Sequence, residues 1–207
     1  MRGGNRPVVV KLGGSFAFSV HLRDWIEALA ACAGQVVIVP GGGPFADAVR
    51  TAQPRMGFDE AAAHDMAVLA MEQFGRALVS LNDALSPADS ADAIDRVLAA
   101  ERVPVWMPAR MVSAAWDVAP SWDTTSDSLA AWLAGRIGAR RLILVKHGDI
   151  PRGLANWETW AANGLVDKTF AQYVNASGSA VLIFGPADQA AAIAALHEGA
   201  AGGVAAA

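Results

Sequence analysis

Val8-Val9-Val10-Lys11-Leu12-Gly13-Gly14-Ser15 reads as a buried β-strand that ends on a lysine and opens into a glycine turn. The same order returns at Val36-Val37-Ile38-Val39, followed by Pro40-Gly41-Gly42-Gly43-Pro44, where Pro44 suits the first position of a helix. Apolar runs without polar alternation mark strands covered on both faces, as in a parallel sheet. Leu142-Ile143-Leu144-Val145 and Ala180-Val181-Leu182-Ile183-Phe184 repeat the pattern, and the prolines of Val103-Pro104-Val105-Trp106-Met107-Pro108 suggest a strand end or edge. Helix-like stretches fall between these runs, at about 21–33, 44–52, 59–84, 90–100, 127–138 and 186–197. The alternation predicts one α/β domain over 1–207, a three-layer αβα sandwich with a mainly parallel central sheet. Ligands of such sheets bind beyond the carboxyl ends of the strands, which is where both glycine turns lie.

The 207 residues are 54% hydrophobic, enough for a sizeable core. A net charge of −4 with 16 Lys and Arg leaves no basic field for a polyanion, so nucleic acid is not an expected partner. No segment approaches the roughly 20 uninterrupted apolar residues of a membrane span. The lone cysteine, Cys32, sits in an apolar stretch and reads as a buried structural thiol, which suits the cytoplasm. Residues 1–6 and the Ala/Gly-rich 199–207 read as disordered ends, with no clear final strand.

Lys11 is the sharpest functional signal, because a lysine ending a buried strand is costly to desolvate unless an anion answers it. Gly13 and Gly14 free the backbone to approach a phosphate chain, although a tight turn alone explains glycines equally well. Gly41, Gly42 and Gly43 lead into a helix start with unpaired N–H donors, which suggests a loop for an anion or substrate. Neither loop is a P-loop, and no G-x-G-x-x-G dinucleotide fingerprint occurs. Farther on, Ser121-Trp122-Asp123-Thr124-Thr125-Ser126-Asp127-Ser128 opens a helix. Thr125, Ser126 and Asp127 are good capping residues, so capping is the plain alternative to a catalytic role. Asp127 is nevertheless well placed to orient lysines around a transferred phosphoryl group, and Trp122 is a candidate wall for a flat substrate. Lys146, like Lys11, ends a strand, and His147 beside it is either solvent-exposed or near a nucleotide.

Together, Lys11-Leu12-Gly13-Gly14-Ser15, Pro40-Gly41-Gly42-Gly43-Pro44-Phe45-Ala46 and Thr125-Ser126-Asp127-Ser128 resemble the amino-acid kinase superfamily, which includes acetylglutamate, uridylate and isopentenyl phosphate kinases. The short length, Trp122 and Val166-Asp167-Lys168-Thr169-Phe170 are most similar to the small kinases of methanofuran-type cofactor biosynthesis, which phosphorylate an aminomethylfuran methyl phosphate. The resemblance implies a kinase using ATP and Mg²⁺ on a small-molecule substrate, with Lys11, Asp127 and Lys168 as catalytic residues. It implies that Lys11, Gly13, Gly14, Ser15, Lys146 and Gly148 hold the nucleotide. Gly41, Gly42, Gly43, Phe45, Trp122, Thr125 and Ser126 would hold the acceptor, with no metal held by protein ligands. Lys168, in a pattern like the superfamily's G-M-x-x-K, and Lys146 are rival candidates for the second lysine. A homo-oligomer is also implied, with Ala61–Met71 either pairing subunits or buried within one. The chain departs from its relatives at Lys146-His147-Gly148-Asp149-Ile150, where many carry Thr-Asp-Val-Asp-Gly. That departure leaves a non-catalytic binding protein, or a kinase for another small phosphate or carboxylate, as alternatives.

Overall fold

The computed structural model describes residues 6–148, 150, 157–197 and 205–206. Its strands are β1 (Val8–Leu12), β2 (Val36–Pro40), β3 (Leu85–Ala88), β4 (Val103–Trp106), β5 (Arg141–Val145), β6 (Ala180–Phe184) and β7 (Ala205–Ala206). They form one sheet in the order β3-β4-β2-β1-β5-β6-β7, parallel at every pairing. The helices are α1 (Leu22–Ala30), α2 (Gly43–Met56), α3 (Glu60–Val79), α4 (Ala91–Ala99), α5 (Ala109–Ser113), α6 (Ser126–Arg136), α7 (Trp157–Ala162), α8 (Phe170–Ser177) and α9 (Gln189–His197). The αβα class read from the apolar runs is therefore the observed one.

The differences lie where the local signal is weak: β4, expected from its prolines at a strand end or edge, is an interior strand between β3 and β2. β3 is Leu-Ser-Pro-Ala, without a β-branched residue, and it succeeds because Pro87 sits on an edge strand that tolerates a missing donor. A closing strand, not expected from the alanine tail, is present as the two-residue β7, which pairs Ala205 with Leu182 and Ala206 with Ile183. Backbone pairing at an edge does not require a favourable side chain. Arg6 is likewise anchored, donating from Nε to Gly138 O at 2.6 Å, so the expected loose lead-in does not extend to it. The remaining residues of the two expected disordered ends, 1–5, 199–204 and 207, lie outside the described residues.

Two cores flank the sheet. Val8, Val10 and Leu12 pack with Trp25, Ile26 and Leu29 of α1 and Leu196 of α9. Val9 packs on the other side with Leu129, Ala130 and Leu133 of α6 and Val174 of α8. Side chains alternate along a strand, so Lys11 falls on the α6 side with Val9. On the neighbouring strand Leu142 and Leu144 belong to the same core, and Lys146, two residues on, continues that side. Helix α6 is buried nearly all round, from Asp127 through Ala134, as a helix sandwiched between sheet and α8 must be. Its small residues permit the close approach: a Cβ on Gly135 would lie 3.2 Å from Ser177 Cα. Cys32 is buried and unpaired, and burial pushes its thiol pKa up. No helix among the described residues is long and apolar enough to cross a membrane.

Candidate active site

The two glycine loops meet at the carboxyl edge of the sheet. Gly41 N donates to Leu12 O at 2.9 Å and Gly13 N to Val145 O at 3.2 Å, so both turns are tied to the strand ends. The loops then pack backbone against backbone. A Cβ on Gly14 would lie 2.2 Å from Gly43 N, and one on Gly41 would lie 2.3 Å from Gly14 N. Gly43, at φ +55, starts α2 in the left-handed region, with Pro44 directly after it. The glycines thus satisfy a steric requirement of loop-on-loop packing.

Beside this junction stands a buried charge cluster. Lys11 Nζ is 2.8 Å from Asp127 Oδ1, and Lys146 Nζ is 2.6 Å from Asp127 Oδ2. The Lys146 contact is a well-formed hydrogen bond, whereas the Lys11 contact is a charge pair without an aligned bond at Oδ1. Lys11 and Asp127 are both 5% exposed. Burial by itself would raise the Asp127 pKa, but the charges of Lys11 and Lys146 outweigh it and hold the carboxyl at about 2. Burial and the neighbouring Lys11 charge lower the Lys146 pKa, against the opposing pull of Asp127. Two ammonium groups share one carboxylate, leaving net positive charge in a nearly dry place.

A cavity of about 280 Å³ opens next to the loops. Its wall includes Gly14, Ser15, Gly42, Gly43, Trp122, Thr125 and Ser126, which brings together residues expected to hold donor and acceptor. Trp122 donates from Nε1 to Gln53 Oε1 at 2.7 Å, while the Arg50 guanidinium lies 4.5 Å from its ring centroid. The indole is thereby fixed from two sides by α2.

Several expected residues stand elsewhere. Lys168 is 78% exposed on its side chain and pairs with Asp123 at 2.8 Å, which raises its pKa. The second lysine at Asp127 is Lys146. Phe45 is exposed and absent from the cavity wall, where its neighbour Ala46 stands instead. His147 is exposed, with its ring edge-on to Phe16 at 5.3 Å between centroids, and nothing approaches the Cβ position of Gly148. Thr125 does not cap α6 with its own side chain; Asp167 does so from a distant loop, accepting from Thr125 N at 3.0 Å and Ser128 N at 3.1 Å.

Sequence reading overlooked the cavity faces of α2 and α3. Ala46, Asp47 and Arg50 of α2, and His64, Ala67, Val68 and Met71 of α3, all line it. Both sets follow helical spacing, a periodic signal present in the sequence that identifies a shared face but not what it faces. His64 is buried, with Nδ1 3.3 Å from Ser121 O.

A parallel sheet carrying glycine loops and strand-end lysines around one helix-borne carboxylate defines a phosphate-handling α/β class. The chain belongs to the amino acid kinase family, whose model matches residues 6–149. Over 145 residues it is 25% identical to the [5-(aminomethyl)furan-3-yl]methyl phosphate kinase of Methanocaldococcus jannaschii, a match covering 68% of this chain and 66% of that relative. The match thus spans just under two thirds of the relative's length. The uridylate kinase of Archaeoglobus fulgidus shares the fold at TM-score 0.70 and 19% identity, over 92% of this chain and 95% of that one. The UMP kinase of Ureaplasma parvum does so at TM-score 0.63 and 18% identity, over 88% and 90%.

Proposed function

We propose that this protein is a small-molecule kinase that transfers the γ-phosphoryl group of ATP to a phosphate monoester, an aminomethylfuran methyl phosphate of methanofuran-type biosynthesis. The observation that carries the reading is Asp127, which holds Lys11 on one oxygen and Lys146 on the other beside the joined glycine loops. The substrate assignment draws on the 25% identical relative.

A phosphate monoester has a second pKa near 6, so its attacking oxygen is already ionised at neutral pH and needs no general base. In the transfer, an acceptor oxygen forms a bond to the γ-phosphorus as the bond to the β-bridging oxygen breaks, and ADP leaves. The chain's task is to hold two mutually repelling anions in line and to neutralise the moving charge. Lys11 and Lys146 provide that charge from fixed positions, because Asp127 limits how far either ammonium can move. Gly13, Gly14 and Ser15 serve the donor phosphates, and Gly41, Gly42 and Gly43 serve the acceptor. Trp122, Thr125, Ser126 and His64 bound the body of the acceptor.

The Mg²⁺ that a kinase reading implies would enter with the nucleotide and would supply screening of its phosphate charge. Both oxygens of Asp127 face lysines, so this carboxylate would hold the lysines in place and would not itself coordinate the ion.

The Lys146-His147-Gly148-Asp149 substitution favours one other reading, a binding protein that has lost nucleotide chemistry. An ADP-release assay across furan, isopentenyl, nucleoside and amino-acid acceptors tests the kinase and its substrate together. Turnover with the aminomethylfuran phosphate supports the full proposal, and turnover with another acceptor alone overturns the substrate assignment. Calorimetry that detects acceptor binding but no ATP-analogue binding would favour the binding protein. Cytoplasmic location and homo-oligomeric assembly belong to the same proposal and are read by fractionation and light scattering.

A further inference from the structure

The loop before α8 draws attention for Lys168, yet the charged side chain it turns toward α6 is Asp167. Asp167 Oδ2 accepts from Thr125 N at 3.0 Å, Thr125 Oγ1 at 2.8 Å and Ser128 N at 3.1 Å. Its Oδ1 accepts the hydroxyl of Ser128 and, at 3.2 Å, that of Thr169. One carboxylate thus satisfies two backbone donors at the start of α6, those of Thr125 and Ser128, that the helix's own cap side chain leaves open. Those donors flank Asp127 on both sides in sequence. Helix ends fray when their first N–H groups lack partners, and a carboxylate there also complements the helix dipole.

We propose that Asp167 is a positioning residue for phosphoryl transfer: by clamping the first turn of α6 it fixes Asp127, and through Asp127 the placement of Lys11 and Lys146. The inference rests on the kinase reading given above. Its physical reason is that the lysines are set by contacts of 2.8 and 2.6 Å to a single carboxylate, so any drift of that turn is passed to both. Misplacement by about 1 Å away from the chemistry costs about 100-fold in rate.

The charge of Asp167 reaches the same centre. Lys146 is faced by Lys11 from β1, Asp127 from α6 and Asp167 from this loop, and Asp167 works to keep it protonated.

The test compares wild type with D167N in the full chain, with S128A as a second variant that breaks one clamp contact and keeps the carboxylate. For D167N, kcat is expected to fall about 10- to 100-fold with KM for ATP nearly unchanged. The alkaline limb of kcat should move to lower pH. For S128A, a smaller fall in kcat is expected with that limb in place. Amide hydrogen exchange at Ser128 to Ala131 should quicken in both variants. Wild-type kcat in a folded D167N protein overturns the proposal, even if exchange quickens, because the residue is then only a helix cap. A fall in kcat matched by a rise in KM also overturns it, as the mark of a substrate contact. If D167N does not fold, S128A decides by the same split. If wild type turns over no acceptor, the kinase reading fails separately; NMR of ¹³C-labelled lysine then decides the clamp. An unmoved Lys146 titration together with unmoved amide exchange in D167N would overturn it.

Discussion

Gly14 and Gly43 approach so closely that a Cβ on the first would stand 2.2 Å from the amide nitrogen of the second. No side-chain rotation relieves a clash with backbone, so one loop must move. Gly14→Ala is expected to destabilise the protein by about 1–3 kcal/mol, in the range of overpacked sites, and to abolish turnover as the loops part. Gly148→Ala, whose added Cβ meets nothing within 4 Å, serves as the control and should melt with the wild type. Thermal unfolding of the two variants checks this, and equal melting temperatures would refute it.

Lys146 and Lys168 make opposite predictions. Lys146→Met removes one of the two cations on Asp127 and is expected to lower kcat by at least about 100-fold. Lys168→Met breaks only a solvent-screened pair with Asp123 and should leave kcat near wild type. Steady-state kinetics of both variants decide which lysine acts, and a reversed order would transfer the role to Lys168.

The pH dependence follows from Asp127 and Lys146. Asp127 titrates at about 2 in the fold and near 3.9 when unfolded, so its contribution to stability is full above about pH 4 and is lost as pH falls toward 2. Asp127→Asn removes that acid-side loss. It also leaves two buried ammonium groups facing each other, at a cost of about 3–5 kcal/mol at neutral pH. Urea unfolding of both proteins from pH 2 to pH 7 measures the two effects. On the alkaline side the lowered Lys146 pKa should end turnover below the ordinary lysine range near 10.4.

Trp122 is held by Gln53 and Arg50 against the cavity. Trp122→Ala should therefore raise KM for the acceptor about tenfold or more while KM for ATP stays within about twofold, as expected for loss of one buried aromatic wall. Equal effects on both substrates would show that the residue supports the fold in place of the acceptor.

Much of this arrangement is legible in the chain itself. Unbroken apolar runs such as Val36-Val37-Ile38-Val39 determine doubly covered parallel strands, and a lysine after Val10 or Val145 announces an unusual strand end. Glycines at 13, 14 and 41–43 announce turns beyond those ends. Three-residue spacing places His64 and Ala67, or Ala46 and Val49, on common helix faces. These signals are local, carried by side-chain period and backbone freedom within a few residues.

What the chain could not state locally is which distant groups meet. β3 forms from Leu-Ser-Pro-Ala because a neighbouring strand offers an edge. Lys146 and not Lys168 reaches Asp127, because β5 lies beside β1 and their alternating side chains turn both lysines toward α6. Asp167 caps that helix across 39–42 residues of sequence. The amino-acid sequence by itself determined the strands, the glycine turns and the strand-end lysines, since each depends on short-range periodicity and conformational freedom. Only the tertiary structure decided the charge cluster and its clamp, because strand order and the docking of α6 set distances between groups that no local pattern relates.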